Sequence, residues 1–208
     1  MYNCIIFDVD GTLIDTENAV FSIYQRMVSE RLGRNISDEE IKNAYAVPTI
    51  QALKQLGFNN DEKAVRDFHQ YLMESFKKVK PFEGIMKVLM DLAQNNKVTG
   101  IVTSRSSEEV MEDPCLQKMF AYFSYLVCMS DTKRHKPHPE PLLKVVELSG
   151  LKVSDTIYIG DSHIDCKCAE NAGIDFALAL WGARNTDNIN AKYMLKHPGQ
   201  LLEIMNGR

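Results

Sequence analysis

The chain has 208 residues, 45% of them hydrophobic and 25% charged, which is enough for one large domain or for one domain with a smaller insertion. Its 24 Lys and Arg residues are outnumbered by 28 Asp and Glu residues, and the formal charge of −4 favours neither nucleic acid nor an anionic membrane as a partner. No apolar run reaches the length of a membrane span, and Asp8 interrupts the N-terminal apolar segment too early for a secretory signal.

The first predicted element is a short strand that ends in two aspartates. Cys4 to Phe7 form an apolar run with two β-branched residues, which suits a strand buried on both faces. Asp8 and Asp10 would project to the same side, so their carboxylates would repel unless a cation relieves them. Gly11 permits a sharp turn that leaves amides for an anion, which favours a metal-assisted phosphate site. Asp-Gly is also an ordinary turn dipeptide, so a plain hairpin or a calcium loop stays open.

Residues 16–79 are predicted to be helical throughout. The first helix runs from Thr16 to Gly33 and places Tyr24 and Leu32 on its apolar face. Three further helices are indicated by a capping-box signature at Ser37–Glu40, by Pro48 and Gly57 at the ends of the next segment, and by Asn60–Glu62 at the start of the last. The pattern predicts a small helical bundle with its own core.

From Pro81 onward, short apolar strands alternate with helices, which is typical of a parallel α/β sheet. Strands are predicted at residues 98–102, 122–129, 156–159 and 174–180. The predicted fold is an α/β, Rossmann-like parallel-sheet core with a small helical-bundle cap inserted after the first strand. We expect a catalytic core over residues 1–15 and 80–208 and a cap domain over residues 16–79, where specificity would reside.

Polar residues with a use in phosphoryl transfer follow four of the predicted strands. They are Asp8 and Asp10, Thr103 and Ser104, Lys136, and Asp161 with Asp165. A carboxylate can attack phosphorus, Mg²⁺ prefers several oxygen ligands, and a hydroxyl and amides can hold phosphoryl oxygens. A lysine offsets negative charge in the loose transition state. Because the carboxyl ends of parallel strands meet at one edge of a sheet, we expect these groups to converge.

The chain resembles the haloacid dehalogenase superfamily, in particular its phosphoglycolate phosphatase-like and β-phosphoglucomutase-like branch. Four motifs carry the resemblance in order, namely DVDGT at 8–12, a hydrophobic residue before Thr-Ser at 102–104, Lys-Pro-His-Pro at 136–139, and GDSHID at 160–165. The helical insert is similar to the cap of that branch. The resemblance implies a Mg²⁺-dependent phosphatase that works through an aspartyl-phosphate.

The resemblance also implies roles for the acidic residues. Asp8 would be the nucleophile, and Asp10 would be the general acid and then the general base. Asp8, Asp161 and the backbone carbonyl of Asp10 would bind Mg²⁺. Asp165 would support the metal shell or Lys136, against the alternative of a solvated helix residue.

The remaining implied roles concern the phosphate. Thr103 and the Ser104 amide would bind it, although both residues could also form a helix N-cap region. Lys136 would pair with Asp8 and with the phosphate, and its Lys-Pro context favours it over Lys133. The neighbouring loop histidines at 135 and 138 receive no role.

Four alternatives are weighed against a phosphatase. A hexose-phosphate mutase of the β-phosphoglucomutase type would carry a histidine where this chain has Val20 and an arginine within the loop at 46–49, and both are absent. A phospho-acceptor signalling domain would not need the pair of aspartates after the first strand or the helical insert. A silent binding relative would lack site residues that are all present here. Haloacid hydrolysis is disfavoured because it has no use for Asp10.

The expected partner is a small phosphorylated metabolite. Phosphoglycolate, pyrophosphate, a sugar phosphate and a nucleotide all stay open, with Glu17, Tyr24 and residues 47–49 as candidates for specificity. The oligomeric state also stays open, and a monomer is compatible with the sequence. The five cysteines are odd in number and scattered, which argues against a disulfide framework and for the cytoplasm.

Overall fold

A computed structural model of the chain describes residues 2–45, 49–59, 61–76 and 78–205, with the side chain of Phe76 left out. The chain divides into two compact units, one formed by Met1–Asp15 with Lys80–Arg208 and the other by Thr16–Val79. Their roles as catalytic core and cap stay predictions. No helix in the described ranges is long and apolar enough to cross a membrane.

The smaller unit contains four helices, α1 (Glu17–Leu32), α2 (Asp38–Tyr45), α3 (Thr49–Gln55) and α4 (Glu62–Phe76). The chain leaves α1 through Gly33, whose φ of +63° suits a glycine at this position. The unit has its own apolar core, in which the rings of Tyr24 and Phe68 stack with their centroids 5.3 Å apart. Leu32 was expected in this core, but it is 39% exposed because the helix ends before it can be covered. Pro48 and Asn60, used in the helix prediction, lie outside the described residues.

The larger unit is built on a sheet of six strands whose order is β3-β2-β1-β4-β5-β6. The strands are β1 (Cys4–Phe7), β2 (Val98–Val102), β3 (Tyr125–Val127), β4 (Thr156–Gly160), β5 (Asp175–Ala179) and β6 (Tyr193–Leu195), and every pairing is parallel. The chain adds β2 and β3 on one side of β1 and the later strands on the other. The strand order therefore reverses between β1 and β4, where open α/β sheets bind their ligands.

The α/β prediction is confirmed, and the deviations lie at the edges of the sheet. The strand predicted at 122–129 is shorter, because Phe120–Tyr122 forms a 3-10 helix and β3 has only three residues. The edge strand β6 was not predicted, since a strand of only three residues gives little periodicity. Short edge strands offer few unpaired backbone groups to other chains.

Six helices belong to the larger unit within the described residues, namely α5 (Ile85–Gln94), α6 (Ser107–Glu112), α7 (Pro114–Gln117), α8 (Glu140–Ser149), α9 (His163–Ala172) and α10 (Gln200–Met205). Capping boxes start α6 at Ser106 with Glu109 and α9 at Ser162 with Asp165. These two helices begin within a few residues of the ends of β2 and β4.

All five cysteines are free and buried. Burial raises the pKa of the Cys4 and Cys115 thiols to about 11 and that of Cys168 to about 12. Cys166 and Cys168 on α9 contact the carbonyls of Asn190 and His138 respectively, so the two thiols face different segments.

The chain leaves the larger unit for the helical insert and returns to it at neighbouring positions, so the insert can be replaced by a short linker. The Asp15 amide donates to the Lys80 carbonyl at 3.2 Å, and Ile14 and Pro81 form an isolated antiparallel bridge. We expect a chain in which a short Gly-Ser linker replaces residues 16–79 to fold, because each unit has its own core. Circular dichroism and a cooperative thermal transition measure this. An aggregated or unfolded product, next to a folded full-length control, would show that the larger unit depends on the insert.

Candidate active site

Asp8 lies at the carboxyl end of the central strand. It directly follows β1, its amide donates to the Ile159 carbonyl at 2.9 Å, and it is 5% exposed. Burial raises the pKa of its carboxyl to about 7, against the opposing charge of Lys136. The short apolar run that predicted a buried strand thus also predicts a desolvated carboxyl group at its end.

The turn after Asp8 depends on Gly11, whose φ is +80°. The amide of Gly11 donates to the Ile14 carbonyl at 3.0 Å, and that of Thr12 donates to the Val9 carbonyl at 3.3 Å. The expectation that this turn leaves its amides for an anion is therefore wrong for these two groups, because the turn satisfies them itself.

Lys136 connects two carboxylates inside the protein. Its Nζ donates to Oδ1 of Asp8 at 2.7 Å, to Oδ1 of Asp165 at 2.7 Å and to the Tyr158 hydroxyl at 3.2 Å, which uses all three of its donors. Burial opposes the charge, but the adjacent Asp165 and Asp8 raise the pKa of Lys136, so it is a cation at neutral pH. Lys133, the competing lysine, is exposed and its amide bonds Glu140.

Asp165 is held by both of its oxygens. Oδ1 accepts from Lys136 and from the Tyr158 hydroxyl at 2.8 Å, and Oδ2 accepts from the amide and hydroxyl of Ser162 in the capping box of α9. Burial acts to raise the pKa of Asp165, but the charge of Lys136 and these hydrogen bonds outweigh it and lower the pKa. The carboxylate of Asp165 is therefore fixed beside Lys136, and its supporting role stays a prediction.

Asp161 follows β4 and lies against the turn after β1. Its Oδ1 accepts from the Thr12 hydroxyl at 3.3 Å, and a Cβ on Gly11 would overlap its carboxylate. Burial, together with the charges of Asp165 and Asp8, raises the pKa of Asp161 well above its usual value. Asp161 is therefore a third carboxyl group, beside Asp8 and Asp165, and its ionisation there is unfavourable.

The three carboxylates form a cluster that fits a divalent cation. Asp8, Asp161 and Asp165 each offer one oxygen, and these oxygens lie within 4.8 Å of one another. Three carboxyl groups face one ammonium group there, so their full ionisation would leave an excess of negative charge that a cation would neutralise, and carboxylate oxygens suit Mg²⁺. The carboxylate of Asp10 is not in this cluster, so its predicted metal contact rests on its backbone carbonyl alone.

Asp10 is paired with Arg105, a residue that motif reasoning missed. Nε of Arg105 donates to Oδ2 of Asp10 at 2.9 Å, and a terminal nitrogen donates to Oδ1 at 2.6 Å. The other terminal nitrogen donates to the buried Asp113 at 2.7 Å. The sequence does show an arginine directly after the Thr-Ser pair. Its pairing with Asp10 in the first motif could not be predicted from the spacing of the two residues in the chain.

The two residues predicted to bind phosphate follow β2 but differ in exposure. Thr103 is buried, and its hydroxyl accepts from the Arg105 amide at 3.2 Å. Ser104 is exposed. The N-cap of the next helix is Ser106, so neither Thr103 nor Ser104 is the capping residue.

A segment after β5 supports the turn and was also missed. The Trp181 indole N–H donates to the Thr12 carbonyl at 2.9 Å. Gly182 lies so close to Gly11 that a Cβ added to it would overlap the Gly11 carbonyl. The C-terminal part of the sheet therefore fixes the backbone that follows Asp8.

Comparisons of the chain with family models, known proteins and solved structures all indicate the same family. The model of the haloacid dehalogenase-like hydrolases matches residues 5–179. The pyrophosphatase PpaX of Halalkalibacterium halodurans is 27% identical, over 98% of this chain and 96% of its own length. The PpaX pyrophosphatase of Bacillus mycoides is 26% identical, over 98% of this chain and 97% of its own. A haloacid dehalogenase-superfamily hydrolase of subfamily IA, variant 1, from Geobacter sulfurreducens has a crystal structure that is 28% identical, with a TM-score of 0.81 and coverage of 98% of this chain and 96% of its own.

We expect Gly182→Ala to destabilise the protein by about 1–3 kcal/mol, because the methyl group must displace the Gly11 backbone. Urea unfolding measures the loss. Gly199→Ala is the matched control, since the nearest atom to its added Cβ is a side-chain atom of His197 at 3.3 Å. Equal stability of the two variants would contradict the close backbone contact.

Proposed function

Because this chain belongs to the haloacid dehalogenase-like hydrolase family, we propose that it hydrolyses a small phosphorylated metabolite through a phosphorylated Asp8. The observation that carries the proposal is the pairing of buried Asp8 with Lys136 at 2.7 Å, beside Asp161, at the switch point of the sheet. A carboxylate buried next to a lysine and two further carboxylates suits phosphoryl transfer better than a structural role, for which so many like charges are costly.

Asp8 is oriented as a nucleophile. Among the described residues only its Oδ1 makes a hydrogen bond, to Lys136, which leaves Oδ2 for attack or for a cation. Lys136 stabilises the ionised carboxylate and would also face the phosphoryl group that it attacks. A lysine held by three partners keeps this position without reorganisation during the reaction.

The reaction takes two steps. Oδ of Asp8 attacks phosphorus, the bond from phosphorus to the leaving oxygen breaks, and that oxygen takes a proton from Asp10. A water molecule then attacks the phosphorus of the aspartyl-phosphate and gives a proton to Asp10, while the bond from Asp8 to phosphorus breaks. Inorganic phosphate leaves, and both carboxyl groups return to their starting states.

We propose that Asp8, Asp161 and the backbone carbonyl of Asp10 hold Mg²⁺. When bound, the ion supplies positive charge that offsets the clustered carboxylates and the phosphate. Asp165 has both oxygens committed to Lys136, Tyr158 and Ser162, so it supports the lysine from behind. Thr103 and the Ser104 amide at the end of β2 are proposed to hold the phosphoryl oxygens.

The strand order and the residue at position 20 favour hydrolysis over the two main alternatives. Phospho-acceptor signalling domains use the order 2-1-3-4-5, whereas this sheet has the order 3-2-1-4-5-6. Val20 is half-buried and packs on the core of the smaller unit, so this position offers no cation for the second phosphate of a mutase substrate. The loop residues at 46–48, which bear on the same question, lie outside the described residues.

Similarity to proteins named pyrophosphatase makes inorganic pyrophosphate the first substrate to test, ahead of phosphoglycolate, sugar phosphates and nucleotides. The smaller unit is proposed to act as the cap that sets this choice. A cytoplasmic location is proposed from the five free thiols, which suit a reducing compartment.

Asp8→Asn should lower hydrolysis of p-nitrophenyl phosphate and pyrophosphate by about three orders of magnitude or more, because an amide cannot form the phosphorylated intermediate. Phosphate release in the presence of Mg²⁺ measures this. The exposed Asp187→Asn is the control for loss of one negative charge and should retain full activity. Turnover by the Asp8 variant that approaches the wild type would disprove the mechanism.

Removal of divalent cations with EDTA should stop hydrolysis, and added Mg²⁺ should restore it. Asp161→Asn should raise the Mg²⁺ concentration needed for half-maximal activity by about tenfold or more, because it removes one anionic ligand. A Mg²⁺ titration of both proteins measures the shift. Activity that ignores the chelator, or an Asp161 variant with the wild-type Mg²⁺ requirement, would refute this metal site.

A further inference from the structure

We propose that Arg105 is a positioning residue for Asp10, and that buried Asp113 holds Arg105 in place. The inference rests on the proposed function, because it assigns a purpose to the geometry of the general acid and base. Its basis is a chain of three charged groups, Asp10, Arg105 and Asp113, that leads from the surface of the site into the protein.

The contact between Arg105 and Asp10 is a two-pronged one. Nε and one terminal nitrogen of Arg105 each donate to a different oxygen of Asp10, at 2.9 and 2.6 Å. This parallel pair fixes both the distance and the plane of the carboxylate. The side chain of Arg105 is 6% exposed and that of Asp10 is 36% exposed, so the arginine is buried while the carboxylate stays accessible.

Arg105 is itself anchored from behind. The side chain of Asp113 is fully buried, and its Oδ2 accepts from Arg105 at 2.7 Å. Its Oδ1 accepts from the amides of Cys115 at 2.7 Å and Leu116 at 3.2 Å at the start of α7. The backbone of Arg105 is held as well, since its carbonyl accepts from the Met129 amide at 2.9 Å. Asp113 thus transmits the fixed position of α7 to Arg105.

A buried charged pair of this kind contributes little net stability, because desolvation offsets most of the attraction. Its value lies in geometry. A general acid or base must lie within hydrogen-bond reach of the reacting oxygen, and a displacement of about 1 Å can cost two orders of magnitude in rate. Asp10 lies on a turn, and Arg105 restricts its side chain to one orientation there.

The competing reading is that Arg105 binds the substrate phosphate directly. Three of its five N–H donors are committed to Asp10 and Asp113. A phosphate ligand and a positioning residue differ in kinetics. Loss of a phosphate ligand raises KM. Loss of a positioning residue lowers kcat, and lowers it most for substrates whose leaving group needs a proton.

The test compares three variants. Arg105→Lys keeps the positive charge beside Asp113 but cannot form the two-pronged contact with Asp10. Arg105→Gln combined with Asp113→Asn removes the charge without stranding a buried carboxylate. Asp113→Asn alone tests the anchor, because an asparagine oxygen still caps α7 whereas its amide group cannot accept from Arg105. Thermal melting of each variant reports whether the fold survives.

The probes are p-nitrophenyl phosphate and phenyl phosphate, which have similar shapes but leaving groups of different basicity. The ratio kcat/KM covers all steps up to release of the leaving group, and only the more basic phenoxide needs a proton from Asp10. We expect Arg105→Lys to lower kcat/KM for phenyl phosphate by about tenfold to a hundredfold and for p-nitrophenyl phosphate by less than about threefold. KM should not rise on either probe, and Asp113→Asn should have a smaller effect of the same kind.

Several results would overturn the inference. Equal losses on both probes that follow the melting temperature would show a structural role only, and a rise in KM alone would show a phosphate ligand. If the wild type hydrolyses neither probe, the proposed function fails separately. The pairing is then read from the NMR signal of the Arg105 Nε–H, which Asp10→Asn should shift and expose to exchange. An unchanged signal would overturn the inference on its own.

Discussion

The site depends on one buried ammonium group that two carboxylates share. Lys136 comes from the loop before α8, whereas its partners Asp8 and Asp165 come from the end of β1 and from α9. The same interaction therefore joins three segments and makes the charge of each partner tolerable. Without the lysine, burial and mutual repulsion would favour protonation of the carboxyl groups, and Asp8 could not act as the proposed nucleophile.

Charge in the larger unit is organised in two separate systems that meet at the turn after β1. Asp8, Asp161, Asp165 and Lys136 carry an excess of negative charge, which suits a cation and a phosphate. In the second system Arg105 lies between Asp10 and Asp113. Two aspartates separated by one residue thus receive different cationic partners. This separation matches the different roles proposed for them, Asp8 as nucleophile and Asp10 as general acid and base.

Sequence reasoning reached the architecture and the residues at the strand ends because periodicity and motifs are local signals. Lys136 could be preferred over Lys133 from its neighbours, and the structure places only Lys136 in the buried cluster. Arg105, Trp181 and Gly182 were missed because their partners in the turn after β1 lie far away in the chain. The amides of the Gly11 turn were misjudged for a related reason. A glycine indicates that a turn occurs, but it does not indicate which carbonyls the turn amides will reach.

The central position of β1 affects how the protein can fold during its synthesis. Asp8, the proposed nucleophile, is synthesised early, but its strand pairs with β4, and Thr12 meets Asp161 across 149 positions of sequence. During translation, part of the apolar surface of β1 stays exposed until β4 has been synthesised, when most of the chain has left the ribosome. The helical insert, whose contacts are local, can fold during that interval. A prematurely terminated chain therefore exposes an apolar strand and lacks part of the candidate active site. We expect chaperones and proteases to act on such a chain.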